Sequence, residues 1–279
     1  MTNNPLKVEP ISPALGAEVK NINLQAELSV IDAKTLNDAF LKYQVLIFRD
    51  QRLEPNDLVR IGRYFGSIAR YPFVKGMKDH PDVIEVIKKE DESINFGGLW
   101  HTDTSYLTCP PKASLLYAKL VPPVGGDTLF ASMYSAYESL SLGLKKTLSQ
   151  LNGINHSTKS AAASTRVNRI KDNPGAPTNI TMQASHPIVR THPETDRKAL
   201  YCSNAHTEKI EGMSVSESQP LLQYLYEQQQ MEEHTFRLRW ENHTLAIWDN
   251  RCTQHNAIND YQGFRREMLR VTLAGDQPY

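Results

Sequence analysis

The chain has 279 residues, 40% of them hydrophobic, and its 31 lysines and arginines balance 31 aspartates and glutamates. This length and apolar fraction are typical of one globular unit with a full core, and we predict a single domain over residues 1–279. Because the charges balance, the chain as a whole has no net electrostatic attraction to nucleic acid or an anionic membrane. No stretch approaches the roughly 18 consecutive apolar residues of a membrane helix. The expected partners are therefore small molecules, with no nucleic acid and no membrane.

The start of the chain and its cysteines indicate a cytoplasmic location. "MTNNPLKVEP" lacks the basic and apolar regions of a signal peptide. Cys109, Cys202 and Cys252 are odd in number and form no CxxC motif, which favours free thiols in a reducing compartment.

The first seventy residues alternate short strands with helices. The segments "GAEVKNINL" and "QVLIF" are predicted to form strands. Leu36 and Phe40 in one segment, and Leu58 and Ile61 in another, have helical spacing, and Asp32 is a plausible N-cap for the first helix. Each helix can therefore lay one apolar face on a sheet.

From about residue 82 the chain changes to short apolar runs such as "DVIEVI", "SLLYAKLV" and "MLRVTLAG", separated by turn residues. This pattern is typical of a β-sandwich or barrel. Helical segments interrupt it at 134–151, where Gly143 is expected to split the helix, and at 216–234, where Pro220 suits a first helical turn. Small and polar residues between them predict a mobile lid loop around 157–180.

A histidine and a carboxylate stand two positions apart in "GGLWHTDTSY", residues 97–106. His101 and Asp103 share one face of a strand or strand end, so both can reach a common point. The strongest candidate for a third metal ligand is His255 in "TLAIWDNRCTQHN", and His206 in "NAHTEK" is the second. Two histidines and one carboxylate form the facial set that holds non-haem Fe(II). A structural zinc site is less favoured because no cysteine has a partner at ligand spacing.

Four motifs, "WHTDTSY", "VPPVGGDTLFA", "WDNRCTQH" and "RREMLRVTLAGDQP", follow one another over nearly the whole chain. Together they resemble the taurine dioxygenase and chlorophenoxyacetate dioxygenase family of Fe(II)- and 2-oxoglutarate-dependent oxygenases. The resemblance implies a mainly β fold with flanking helices, a double-stranded β-helix or jelly roll, in which His101, Asp103 and His255 hold the metal. It also implies Fe(II), 2-oxoglutarate as co-substrate, dioxygen, and release of succinate and CO2.

The same resemblance places Thr128 of the "GGDT" turn and Arg266 on the distal carboxylate of 2-oxoglutarate. The pattern of "RREMLRVTL" supports this assignment, because Arg266 and Arg270 point to the face opposite Leu269, whereas Arg265 does not. An inward arginine is costly unless it meets an anion, and its planar fork suits a carboxylate.

Arg270 lies four residues further along the same face, about 13 Å by the strand rise, which is too far to share that carboxylate. It is therefore expected to serve a second anion, and a matching arginine holds the substrate in sulfonate-oxidising members of the family. The expected substrate is a small anionic molecule, namely a sulfonate, sulfate ester, phosphonate, or aryloxy or other carboxylate. Asn95, Tyr106 and His206 are candidates for lining its pocket, with support of loops as the alternative for each.

Two other functions stay open from the sequence. One is a biosynthetic oxygenase of the same fold that acts on a larger carboxylate. The other is a non-catalytic jelly-roll protein that binds a metal or an anion, although the triad and both inward arginines favour an enzyme. Apolar helices outside the barrel make a homo-oligomer, a dimer or tetramer, the expected assembly.

Overall fold

More residues lie in strands than in helices, and the strands are mainly antiparallel. The computed structural model describes residues 5–71, 74–159 and 181–279. The helices are α1 (Val30–Tyr43), α2 (Pro55–Phe65), α3 (Met133–Glu138), α4 (Leu142–Leu148) and α5 (Val215–Gln229), followed by a 3-10 turn at Glu232–His234. The strands are β1 (Lys7–Pro10), β2 (Ala17–Lys20), β3 (Val45–Phe48), β4 (Ile68–Ala69), β5 (Ile84–Lys88), β6 (Ala113–Leu120), β7 (Thr128–Ser132), β8 (Asn152–His156), β9 (Gln183–Pro187), β10 (Val189–Thr191), β11 (Lys198–Leu200), β12 (Thr207–Ile210), β13 (Thr235–Leu238), β14 (Leu245–Asp249), β15 (Thr253–Ala257) and β16 (Arg266–Leu273).

Two of the sheets lie face to face and form the barrel. The larger has the strand order β1-β2-β3-β14-β6-β16-β4, and β5 also pairs with β16. The smaller has the order β13-β7-β15, and His101 extends it through a bridge to His255 in β15. Side chains from both sheets, among them Phe130 and Trp248, form the core between them. This arrangement confirms the predicted jelly roll.

The alternation of side chains along β16 places the two arginines. Leu269 and Leu273 pack beneath the helices, in the core on the outer face of the larger sheet. Met268 packs in the core between the sheets. Arg266 and Arg270 have the same parity as Met268 and therefore point into the barrel, as the sequence pattern predicted.

Helices α1 and α2 cover the outer face of the larger sheet. Leu36, Phe40 and Leu58 are buried there, which confirms the predicted apolar faces. The start of α1 differs from the prediction, because the Ser29 side chain accepts the backbone N–H of Asp32. Ser29 is therefore the N-cap, and Asp32 lies in the first turn.

The two later helical segments also begin at serine caps. The first breaks before Ser141, which caps α4 by accepting the N–H of Leu144, so Gly143 lies inside α4 and does not split the helix. Helix α5 begins at a capping box between Ser214 and Glu217. Pro220 therefore lies inside α5 rather than in its first turn, because the cap sets an earlier start.

Most of the predicted lid loop around 157–180 lies outside the described residues, which stop at 159 and resume at 181. The lid, the single domain and the cytoplasmic location stay predictions. None of the helices that the structure describes is long and apolar enough to cross a membrane. The three cysteines are free thiols, as expected.

Candidate metal centre and active site

The backbone holds His101 and His255 side by side. The N–H of each residue donates to the carbonyl oxygen of the other, at 3.1 and 2.9 Å. Both side chains therefore leave the same face of this bridge, with ring centroids 4.2 Å apart. Nδ1 of His101 lies 2.6 Å from the carbonyl oxygen of Leu99, which can only accept. Nδ1 thus carries the proton, and the lone pair on Nε2 can bind a metal.

Asp103 lies in the turn that follows the bridge. Its Oδ1 is 3.8 Å from Nε2 of His101 and 3.9 Å from Nε2 of His255. One ligand atom from each of the three buried residues lies within 4.8 Å of the other two. The structure thus brings together the three residues predicted as ligands from the sequence.

The other oxygen of Asp103 is occupied by protein donors. Oδ2 accepts hydrogen bonds from Oγ of Ser114 and Nη2 of Arg270, each at 2.6 Å. Ser114 in turn accepts from Nδ2 of Asn250 at 3.1 Å. These donors fix the rotation of the carboxylate, so that Oδ1 faces the histidines. Neither Ser114 nor Asn250 was predicted as a site residue, although Asn250 lies in the "WDNRCTQH" motif.

The local charges favour the protonation states that metal ligands need. Burial alone would raise the pKa of Asp103, but Arg270, the two histidines and the hydrogen bond from Ser114 hold it well below its usual range. Burial, together with the neighbouring His101, lowers the pKa of His255 well below its ordinary value. An ionised carboxylate and a neutral imidazole are the forms that coordinate a metal.

Arg270 has an anionic partner within the protein, whereas the sequence pattern predicted only a bound anion as its partner. Its ion pair with Asp103 is buried on both sides, and Nη2 also donates to Ser114 at 3.1 Å. Its charge therefore does not depend on a second, bound anion for compensation. Nε of Arg270 has no hydrogen-bond partner among the described residues, so one N–H remains for a ligand. Its role in binding substrate stays a prediction.

Thr128 and Arg266 line one cavity together with both histidines and Arg270. Arg266 is buried, which lowers its pKa, and its Nε and Nη2 have no partner within the described part of the chain. Nε1 of Trp240 donates to Oγ1 of Thr128 at 2.9 Å, which leaves the hydroxyl proton for another acceptor. The cavity thus offers a guanidinium and a hydroxyl to an anion.

A larger cavity of about 580 Å³ lies on the other side of Arg270, which lines both. Its wall includes Tyr71 and Ile84, and the exposed Lys75 and Lys78 add positive charge. The two cavities therefore meet at one guanidinium.

Gly97 permits the close approach of the chain to the first histidine. Its φ is +82°, and a Cβ at this position would lie 3.2 Å from Cε1 of His101. Any other residue would be strained in this left-handed conformation and would crowd the imidazole ring.

Asn95, Tyr106 and His206 line neither of the two cavities. Nδ2 of Asn95 donates to the carbonyl oxygen of Ala257 at 2.9 Å, so Asn95 supports a loop. The His206 ring lies edge-on to Tyr106, with centroids 5.0 Å apart, and 5.8 Å from the ring of His101. His206 and Tyr106 thus lie beside a candidate ligand, and their contact with substrate stays a prediction.

A jelly roll that presents two histidines and a carboxylate next to a buried arginine defines the class of metal-dependent oxygenases with a facial triad. The comparison with known families agrees, since residues 7–272 match the family described as "Taurine catabolism dioxygenase TauD, TfdA family". The chain belongs to this family, which confirms the resemblance drawn from its motifs and makes the protein a dioxygenase.

Individual relatives cover nearly the whole chain. An alkylsulfatase from Acinetobacter baylyi is 32% identical over 97% of this chain and 86% of its own length. An alpha-ketoglutarate-dependent sulfonate dioxygenase from Saccharomyces cerevisiae is 36% identical over 98% of this chain and 68% of its own length. The crystal structure of AAD-2 in complex with Mn(II) and N-oxalylglycine matches with a TM-score of 0.81 and 30% identity, covering 99% of both chains.

Proposed function

We propose that this protein is an Fe(II)- and 2-oxoglutarate-dependent dioxygenase that oxidises a small anionic organic substrate and releases succinate and CO2. The observation that carries the proposal is the convergence of His101, Asp103 and His255 beside the buried Arg266, whose Nε and Nη2 have no partner in the described part of the chain. Membership in a dioxygenase family favours an enzyme over a non-catalytic metal-binding protein. The alpha-ketoglutarate dependence in the name of the yeast relative supports the choice of co-substrate.

His101, Asp103 and His255 would hold the metal. Their donor atoms are two imidazole nitrogens and a carboxylate oxygen, which suits Fe(II) and leaves positions open for other ligands. The proton on Nδ1 of His101 and the donors on Oδ2 of Asp103 orient both side chains toward the same point. When bound, Fe(II) with 2-oxoglutarate and dioxygen supplies the oxidising chemistry, and the protein supplies orientation and exclusion of water.

Thr128 and Arg266 would bind the distal carboxylate of 2-oxoglutarate. The guanidinium of Arg266 can donate two parallel hydrogen bonds to a carboxylate, and the free hydroxyl proton of Thr128 can add a third. This anion would compensate the buried charge of Arg266, whose Nε and Nη2 otherwise have no hydrogen-bond partner among the described residues. A 2-oxo acid without the distal carboxylate should therefore bind poorly.

The organic substrate would lie in the larger cavity, with its acid group at Arg270. The free Nε of Arg270 is a donor at the point where this cavity meets the candidate metal centre. The alkylsulfatase and the sulfonate dioxygenase among the relatives support sulfate esters and sulfonates as the first substrates to test, followed by phosphonates and aryloxy acids. A lining that combines apolar side chains such as Met77 and Ile84 with Lys75 and Lys78 suits an organic anion.

Spectroscopy without oxygen tests the metal and co-substrate together. The protein is mixed with Fe(II) and 2-oxoglutarate, and a visible charge-transfer band is expected. Air is then admitted with each candidate substrate, and succinate release is measured. Absence of the band in the folded protein would contradict the proposal. A band without substrate-stimulated succinate release would instead favour the non-catalytic binding protein.

We also propose a homo-oligomer, a dimer or tetramer, and a cytoplasmic location. The exposed apolar residues Val30 and Ile31 at the start of α1 support self-association, being 87% and 77% exposed. Light scattering after size exclusion measures the assembly, and a monomeric mass would contradict it.

A further inference from the structure

A lysine ammonium lies buried beside Arg266. Lys88 is 2% exposed, and its Nζ has no hydrogen-bond partner in the described part of the chain. Lysine is almost never fully buried unless it is paired, because removing an unpaired charge from water is costly. This ammonium therefore calls for an anion that the described residues do not provide.

The register of β5 against β16 places this lysine in the barrel. Lys88 lies directly opposite Arg266, and Val86 lies opposite Met268. Directly opposed residues in an antiparallel pair project from the same face, with Cβ atoms about 4.5–5.5 Å apart. Val86 lines the same cavity as Arg266. Lys88 is therefore an inward-facing neighbour of Arg266, whereas Lys89, one residue later, is exposed.

The groups around Lys88 attract a cation without neutralising it. Nζ lies 4.6 Å from the ring centroid of Tyr261, a cation–π contact with an uncharged ring. Asp127, whose charge acts on Arg266, accepts from Nε of Arg237 at 2.6 Å. Among the described residues, no salt bridge joins Lys88 or Arg266 to a carboxylate. Two neighbouring buried cations thus lack a hydrogen-bonded carboxylate among the described residues.

We propose that Lys88 is a second cationic anchor for the distal carboxylate of 2-oxoglutarate, next to Arg266 and Thr128. The inference rests on the proposed function and extends it to a residue outside the family motifs quoted above. A carboxylate offers about four lone-pair positions, enough to accept from an arginine fork, a hydroxyl and an ammonium together. Binding would then compensate both buried charges in one step.

The test compares Lys88→Met with Lys89→Met, a change of the same chemistry on the exposed face. Fe(II)-loaded protein without oxygen is titrated with 2-oxoglutarate and with 2-oxopentanoate, which has a methyl group in place of the distal carboxylate. Lys88→Met should weaken 2-oxoglutarate binding by about tenfold or more, since a hydrogen bond between charged groups is lost. Binding of 2-oxopentanoate should not change, Lys89→Met should match the parent protein, and Lys88→Arg should retain most of the affinity.

Unfolding without ligand provides a second measurement. Lys88→Met should melt at the same or a higher temperature than the parent protein, because an unpaired buried charge is removed. Saturating 2-oxoglutarate should then stabilise it less than it stabilises the parent. Unchanged 2-oxoglutarate affinity, or equal loss for both 2-oxo acids, would overturn the proposal. Failure of the parent and Lys89→Met to bind 2-oxoglutarate would instead overturn the proposed function, and this inference with it.

Discussion

Nη2 of Arg270 donates to Oδ2 of Asp103 at 2.6 Å, while Oδ1 of the same carboxylate faces His101 and His255. One side of Asp103 thus belongs to the candidate metal centre and the other to an arginine that lines the larger cavity. An acid group of a substrate at Arg270 would be linked to the metal through two side chains.

Replacement of Arg270 by methionine is expected to raise the KM for the anionic substrate by an amount equivalent to about 2–5 kcal/mol, the cost of a lost buried charged hydrogen bond. With the metal site saturated by Fe(II), to offset the lost donor to Asp103, the dissociation constant of 2-oxoglutarate should change little, because its distal carboxylate is assigned to Arg266. Steady-state kinetics and an anaerobic titration separate the two. Arg265→Met is the control, since Arg265 pairs with Glu267 away from the barrel. A loss restricted to 2-oxoglutarate affinity would reverse the two arginine roles.

Removal of the Ser114 hydroxyl is expected to weaken Fe(II) binding by about 10–100-fold, as is typical when a partner of a ligating side chain is lost. Ser114→Ala frees the carboxylate of Asp103 to rotate away from the histidines. Ser218→Ala is a matched control, because Ser218 is equally buried and hydrogen-bonded but lies on α5. Metal affinity is measured by competition with a chelator, and equal affinity in both variants would contradict the positioning role.

Loss of a single ligand should abolish tight Fe(II) binding and turnover together, because three ligands leave no redundancy. His101→Ala and Asp103→Ala are the test variants, and metal content after dialysis is measured beside succinate release. His80→Ala, at a histidine whose ring lies against the Asn56 side chain and not at the triad, should behave as the parent protein. Near-normal activity in either ligand variant would contradict the metal assignment.

A second buried carboxylate, that of Asp249, lies next to Asn250, which contacts the site through Ser114. Asp249 accepts from Nε and Nη2 of Arg251 at 2.8 and 2.7 Å and lies 3.0 Å from Nε2 of His192. Burial would raise its pKa, but Arg251 and His192 hold it well below the usual range. The neighbouring residue is Asn250, whose amide reaches Ser114.

The stability of the protein should fall in acid partly through Asp249. Because its pKa is lower in the folded than in the unfolded protein, the unfolded state binds the proton more readily. The contribution to stability is therefore complete above the unfolded pKa of about 4 and is lost as the pH falls toward the folded value. Asp249→Asn should lose about 3–5 kcal/mol at pH 7 and depend less on pH below 4. Urea unfolding from pH 7 to 3 measures both, and parallel pH profiles would contradict the assignment.

Patterns within one segment revealed much of the fold and the site. The alternation in β16 predicted the faces of Arg266 and Arg270, and the two-residue spacing of His101 and Asp103 predicted a shared direction. The first depends on local strand geometry, which a sequence encodes directly, whereas Asp103 reaches the histidines from a turn and not from a strand. His255, which lies far from the other two along the chain, is the strongest third ligand from its own segment, and the family motifs then favour it over His206.

Features that depend on long-range contacts could not be predicted in this way. The ion pair from Arg270 in β16 and the hydrogen bond from Ser114 in β6 both reach Asp103 in the turn after the bridge, and nothing in these segments specifies the partner. Lys88 was missed because a lysine at the polar end of a strand is usually solvated. Only its register with Arg266 indicates that its ammonium points inward.

Because both arginines lie on β16, this strand fixes the distance between them and the face to which each one points. Pairing with β6 on one edge and with β5 on the other fixes its register on both sides. Insertion or deletion of one residue between Arg266 and Arg270 would turn one of them toward the helices, because successive side chains alternate. New substrate preferences in this scaffold are therefore expected to arise in the loops around the cavities, while the spacing between the two arginines stays the same.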